Sequence, residues 1–205
     1  MTNMIEGLEK KYIKGGGTLV VLVGSEDIEK YPAVFPACSF LSLYGFVWEK
    51  YLSPWPAEKV FRKADPFEGK AEELLSYLEE ELKQYSFDHL VLAGYSLAGL
   101  FCAWAATRMK TDGLVCCSAS FWYPDFNAYL RDHPLQCSYV YVSLGDKESR
   151  SKSPVFSAID VKTEEACAIM QESCPVVFAW NEGGHFVEDA PRIMKGIACL
   201  QEKRL

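Results

Sequence analysis

Short, nearly uninterrupted apolar runs alternate along the chain with longer stretches in which apolar residues recur every three or four positions. The first clear run, TLVVLV at 18–23, follows the triple glycine at 15–17 and is rich in β-branched residues, as expected of a strand covered on both faces. CSFLSLYGFVW (38–48) is a second apolar segment. The YLSPWPAEKVFRKADPFEGK that follows has three prolines and little periodicity, which predicts a long surface loop. Leu74, Leu75, Leu78 and Leu82, with acidic residues between them, predict an amphipathic helix over about 70–85. HLVLAG is again a strand, and Leu100, Phe101, Trp104, Ala105 and Met109 fall at helical spacing over 97–110. The rest reads GLVCCSAS strand, YPDFNAYLRD short helix or loop, SYVYVSLG strand, VKTEEACAIMQE helix, PVVFAWN strand and EDAPRIMKGIACLQEK helix.

Buried strands joined through helices imply an α/β architecture: a mostly parallel sheet with helices on both faces, because parallel neighbours need crossover connections. Ligands in such sheets bind beyond the carboxyl ends of the strands. No internal repeat, low-complexity segment or linker interrupts the pattern, so residues 1–205 read as one domain.

Composition narrows the function classes. With 205 residues, 49% of them hydrophobic, the chain can bury one substantial core. A net charge of -7, spread without a long basic run, argues against nucleic acid and anionic membrane as partners. MTNMIEGLEKKYIKGGG does not have the form of a secretory signal, and no window has the length of a membrane span. The eight cysteines mostly sit inside apolar runs and read as reduced, buried residues of a cytoplasmic protein. There is no CxxC pair, and VCC directs adjacent side chains to opposite faces of a strand, so a zinc site is not expected.

The residues just past each strand are the candidates for chemistry. After LVLAG comes YSLAG. A serine on a sharp strand-to-helix turn needs small residues two before and two after it, and Gly94 and Ala98 meet that need around Ser96. The pattern is G-x-S-x-G with alanine in the last place and glycine one residue later. A serine here could equally be a helix N-cap. A nucleophilic serine also needs a base, usually histidine. His89 and His133 precede strands and so belong to the opposite edge of the sheet. His185, in NEGGHFVED, follows the last strand and stands at the edge of Ser96. A carboxylate to orient the imidazole should follow the strand between them, where SLGDKE offers Asp146 and Glu148. The order Ser, acid, His is that of the hydrolase triad. The oxyanion of a tetrahedral intermediate would take the backbone N–H of Leu97, at a helix N-terminus, and a second donor from Gly24 or Ser25 in LVGSED.

Together LAGYSLAGLF, YLSPWPA, SASFWYP, SLGDKE and GGHF resemble the α/β-hydrolases, in the esterase branch that includes esterase D and the enterochelin esterases. The resemblance runs from about Thr18 to the final helix. It implies an α/β-hydrolase fold with Ser96 as nucleophile, His185 as base, Glu148 or Asp146 as acid, and no cofactor or metal. Against that fold the chain looks shortened at the N-terminus and without a lid domain, since only about 121–136 separates the relevant strands. Trp48, Trp55, Tyr95, Trp122 and Tyr123 are expected to wall the site, which would suit an aryl, aromatic-acyl or activated small ester. The expected partner is thus a small-molecule ester. The leading reading is a serine esterase. Acyl transfer or peptidase chemistry on the same serine, or a non-catalytic binding protein on the same fold, are the alternatives.

Overall fold

The computed structural model describes residues 5–60, 65–151, 153–187 and 189–203. Seven strands form one sheet: β1 (Glu9–Ile13), β2 (Thr18–Val23), β3 (Cys38–Tyr44), β4 (His89–Tyr95), β5 (Thr111–Cys117), β6 (Cys137–Gly145) and β7 (Val176–Asn181). Their spatial order is β1-β3-β2-β4-β5-β6-β7. All neighbours are parallel except β1, which runs antiparallel to β3 from Glu9 opposite Tyr44 to Ile13 opposite Phe40.

The helices cover both faces, as the alternating pattern predicts. On one face α1 (Ala71–Leu82), α2 (Leu97–Ala105), α3 (Phe126–Asp132) and α4 (Ile159–Met170) pack over Val21, Leu41, Leu92, Cys116 and Val142. On the other, α5 (Asp189–Gln201) sets Ala190, Ile193, Ile197 and Leu200 against Val91, Val115, Cys117 and Tyr141. Cys116 and Cys117 fall on opposite faces, as adjacent strand residues must. Gly196 lets α5 lie close to the sheet: a Cβ there would meet Val115 at 2.4 Å and Tyr141 at 2.7 Å. Between β5 and β6 the chain inserts only α3 and its flanking turns.

Two expectations need correction. β1 is an edge strand that the hydrophobic pattern does not reveal, because EKKYI is charged and largely exposed. Its lysines suit a sheet edge, where charge discourages pairing with another chain, and Lys10 reaches Glu81 of α1 at 2.6 Å. The loop after β3 is also not wholly irregular. It holds a helical turn, Trp48–Tyr51, and a two-residue antiparallel ladder of Pro56–Ala57 with Phe67–Glu68, while its part at 61–64 lies outside the described residues.

Candidate active site

β4 delivers Ser96 to the carboxyl edge of the sheet and α2 starts immediately behind it. Ser96 has φ 56° and ψ -123°, a conformation that ordinarily costs about 1–3 kcal/mol and is kept where the surroundings dictate it. Ser96 occupies the N-cap position, yet its side chain makes no capping hydrogen bond. Its Oγ lies instead 2.9 Å from His185 Nε2. The cap reading is thereby set aside.

The small residues around the turn divide the steric work differently from the motif. A Cβ on Gly94 would stand 2.5 Å from the backbone C and O of Ala98, so no side chain fits there. Ala98 itself is accommodated, fully buried. At Gly99 a Cβ would meet Ala119 Cβ at 2.9 Å and Gly94 O at 3.1 Å. The second glycine is needed one position later than the motif puts it. Gly94→Ala is expected to destabilise the protein by about 2 kcal/mol through overpacking, and Ala98→Gly by at most about 1 kcal/mol. Thermal unfolding of the two variants measures both.

His185 sits in the loop after β7, and its Nδ1 lies 2.7 Å from Glu148 Oε2. Glu148 opens a short helical turn, Glu148–Arg150, just past β6. The spacing Gly-x-x-Glu has a physical basis. Gly145 donates its N–H to Glu148 Oε1 at 2.8 Å, and a Cβ on Gly145 would stand 2.4 Å from Gly183 O and 2.9 Å from Glu148 Oε1. Asp146 points elsewhere: its Oδ1 accepts the Gly183 N–H at 2.8 Å and it does not reach the imidazole. Burial alone would push the Glu148 carboxyl up, but hydrogen bonds from His185, Ser118 and the Gly145 N–H hold it below the usual carboxylate range. An ionised Glu148 accepts from Nδ1–H, which leaves Nε2 as the acceptor facing the Ser96 hydroxyl.

Arg192 was not among the sequence candidates. It lies in α5, its side chain is 1% exposed, and its Nη1 donates to Glu148 Oε1 at 2.9 Å, Ser118 Oγ at 2.8 Å and Tyr95 Oη at 3.1 Å. Nη2 donates to the carbonyls of Glu182 and Gly184, in the loop that carries His185. The Ser118 hydroxyl in turn donates a hydrogen bond to Glu148 Oε1 at 2.6 Å. A buried acid is thus offset by a buried cation and two neutral donors, the condition under which buried charge is tolerated. One signal in the sequence pointed to it: Arg192 shares the apolar face of α5 with Gly196 at i+4.

Ser96 opens into a cavity of about 140 Å³ lined by Trp48, Glu49, Phe67, Trp122, Phe156 and Phe186. Trp48 and Trp122 are where the sequence predicts them, but three other expected wall residues are not. Trp55 donates its Nε1 to Pro124 O and packs on Tyr123, Phe126 and Tyr129, away from the cavity. Tyr123 is buried and donates to Trp55 O. Tyr95 turns behind the site and donates to His185 O at 2.6 Å, and burial pushes its hydroxyl up to about 12 so that it remains a donor. Of the oxyanion candidates, Leu97 lines the cavity at the start of α2. Gly24 does not qualify, since its N–H is committed to Leu43 O at 2.8 Å and its φ of +76° turns it toward the Trp48 ring. Ser25 does not line the cavity, and its carbonyl accepts the Ser42 hydroxyl.

His89, facing Asp112, and His133, stacked on Tyr129, stand at or before the starts of β4 and β6, remote from Ser96. No cysteine lines the cavity, and burial pushes the thiols of Cys102, Cys116 and Cys117 up, which suppresses the thiolate. Among the described residues no helix is long and apolar enough to cross a membrane, and no group of three or more His, Cys, Asp or Glu side chains could hold a metal ion.

No protein-family model matches the chain, and a search of curated proteins by sequence finds no match. Solved structures do match. The siderophore hydrolase EstA from Aspergillus nidulans superposes with a TM-score of 0.65 at 18% identity, over 93% of this chain and 84% of that one. The IroE-like serine hydrolase from Shewanella oneidensis gives 0.75 at 14% identity, over 93% and 72%. The siderophore hydrolase EstB from Aspergillus nidulans gives 0.68 at 14% identity, over 96% and 95%. At these identities what is shared is the architecture, a mostly parallel sheet wrapped by helices, which is the α/β-hydrolase fold.

Proposed function

We propose that the protein is a serine esterase that hydrolyses small carboxylic esters through an acyl-enzyme on Ser96. The observation that carries this reading is the unbroken chain Ser96 Oγ–His185 Nε2–Glu148, with links of 2.9 and 2.7 Å, at the mouth of an apolar cavity. In this mechanism Ser96 Oγ bonds to the ester carbonyl carbon while its proton passes to His185 Nε2, and the carbonyl π electrons move onto oxygen. The Leu97 N–H, at the positive end of α2, faces that oxyanion. Collapse of the intermediate breaks the bond to the alkoxy oxygen, which leaves with the proton from Nε2. Water then repeats the sequence on the acyl-enzyme and frees the acid. Glu148 stays ionised throughout and holds the imidazole in the required tautomer. None of these steps calls on a cofactor.

A single catalytic domain fits the one seven-stranded sheet on which the helices pack. Eight cysteines without a disulfide fit residence in the reducing cytoplasm.

The test is covalent labelling with a fluorophosphonate, which reports an activated serine. The wild type is expected to gain one phosphonyl group, located on Ser96 by peptide mass spectrometry, and to hydrolyse phenyl acetate. Ser96→Ala should remain unlabelled. A folded wild type that neither labels nor hydrolyses would leave a binding protein on a hydrolase fold as the correct reading.

A further inference from the structure

A second cavity, of about 310 Å³, lies against the first. The two share Phe156, His185 and Phe186, so the imidazole and its flanking aromatic rings form the partition between them. Their charges differ. The Ser96 chamber has aromatic walls and one carboxylate, Glu49. The second chamber is rimmed by Lys147 and Arg150 with the hydroxyls of Ser151 and Ser153, and the one acid among its described lining residues, Glu148, is buried and already neutralised by Arg192. Among the described residues neither Lys147 nor Arg150 makes an ion pair. Both line this one cavity, on a chain of net charge -7. Phe186, on the partition, is 90% exposed and so offers an open apolar ring to a ligand.

The reaction itself decides which half of an ester belongs where. The leaving oxygen must take the proton from His185 Nε2, so the alcohol departs on the imidazole side, while the acyl group remains bonded to Ser96 in the aromatic chamber. Building on the esterase reading, we propose that the second chamber is the leaving-group subsite and that it selects esters whose alcohol half carries an anionic group, a carboxylate or a phosphate. Lys147 and Arg150 attract that group, Glu49 keeps it out of the acyl chamber, and Phe186 is covered by the body of the alcohol. The opposed charges thus orient the substrate before the chemistry begins.

The experiment compares phenyl acetate with three esters of the same acyl group: 4-acetoxybenzoate, 4-acetoxyphenyl phosphate and 4-(trimethylammonio)phenyl acetate. Each rate is divided by that ester's own hydroxide-catalysed rate, to remove differences in leaving-group reactivity. An exposed charge contact gives up to about fivefold, so the two cations should favour an anionic ester over the cationic one by about tenfold in kcat/KM, mainly through KM. The carboxylate and phosphate arms identify which anion is preferred. Lys147→Glu/Arg150→Glu should invert the anionic-to-cationic ratio. Lys14→Glu/Lys110→Glu makes the same change in net charge at the opposite edge of the sheet and should leave the ratio as it is. The proposal is overturned if the wild type does not favour the anionic esters, or if both double variants shift the ratio equally. Loss of the esterase reading looks different, since phenyl acetate would then resist hydrolysis and Ser96 would stay unlabelled.

Discussion

Glu148→Gln should lower kcat by about three to four orders of magnitude, the scale seen when the orienting acid of a serine triad becomes its amide. The substitution preserves shape but not the acceptor that fixes the imidazole. A glutamine can turn its NH₂ toward Nδ1, which leaves the proton on Nε2, facing Ser96, where it cannot act as a base. Asp146→Asn keeps an acceptor for the Gly183 N–H and should leave kcat nearly unchanged. Steady-state hydrolysis of phenyl acetate by the two variants, with circular dichroism to verify folding, decides between the two acids that the sequence left open. The same carboxylate sets a pH response. Its folded-state pKa is depressed, so its contribution to stability is present above the unfolded value of about 4.3 and is lost as pH falls through the lower folded value. Wild type should therefore lose stability in acid over a range where Glu148→Gln, lacking the group, changes less. Unfolding midpoints from pH 7 down to pH 3 measure the difference.

Arg192→Met should cost about 3–5 kcal/mol, because it leaves the Glu148 charge buried without its cation. For a chain of this length that lowers the melting temperature by about 10 °C. Activity should fall as well, since the same guanidinium holds the Glu182 and Gly184 carbonyls beside His185 and the Tyr95 hydroxyl that supports His185 O. Arg192→Lys should recover only part of either loss: an ammonium supplies charge but not a planar fork able to serve five acceptors. The double variant Arg192→Met/Glu148→Gln separates the two roles. Removing both charges should restore much of the stability and none of the activity. A double variant as unstable as Arg192→Met alone would mean that packing, and not charge, makes Arg192 necessary.

What could be read in the sequence follows how local the determining physics is. The parallel strands inside the sheet announce themselves because they are largely buried on both faces and so must be apolar, and Val176–Asn181 at the edge is still an apolar run although Val177 and Trp180 are exposed. Gly94-x-Ser96 is legible because a tight turn restricts its neighbours within a few residues. The edge strand Glu9–Ile13 is not legible, since one side of it faces water and its pairing with Cys38–Tyr44 is a tertiary fact. The choice of Glu148 over Asp146 depends on the close approach of Gly145 to Gly183, nearly forty residues away in sequence. Aromatic residues mislead for the same reason: Trp48 and Trp122 reach the cavity and Trp55 does not, yet all three stand in loops of similar composition. Arg192 appears in the sequence only as a polar interruption of an amphipathic helix, because the acid it neutralises stands in the distant turn after β6.

The position of α5 gives the site a timetable. Ser96, Ser118, Glu148 and His185 leave the ribosome in that order, and the cation that balances Glu148 comes after all four, on the helix that also covers β4, β5 and β6 on one face of the sheet. A nascent chain that has passed His185 already carries the residues proposed as nucleophile, acid and base, but it lacks Arg192, the charge that makes the burial of Glu148 tolerable. On the esterase reading, competence waits for that helix: until Arg192 is in place, the acid of the site has no cation to make its burial tolerable, and the chain is disarmed.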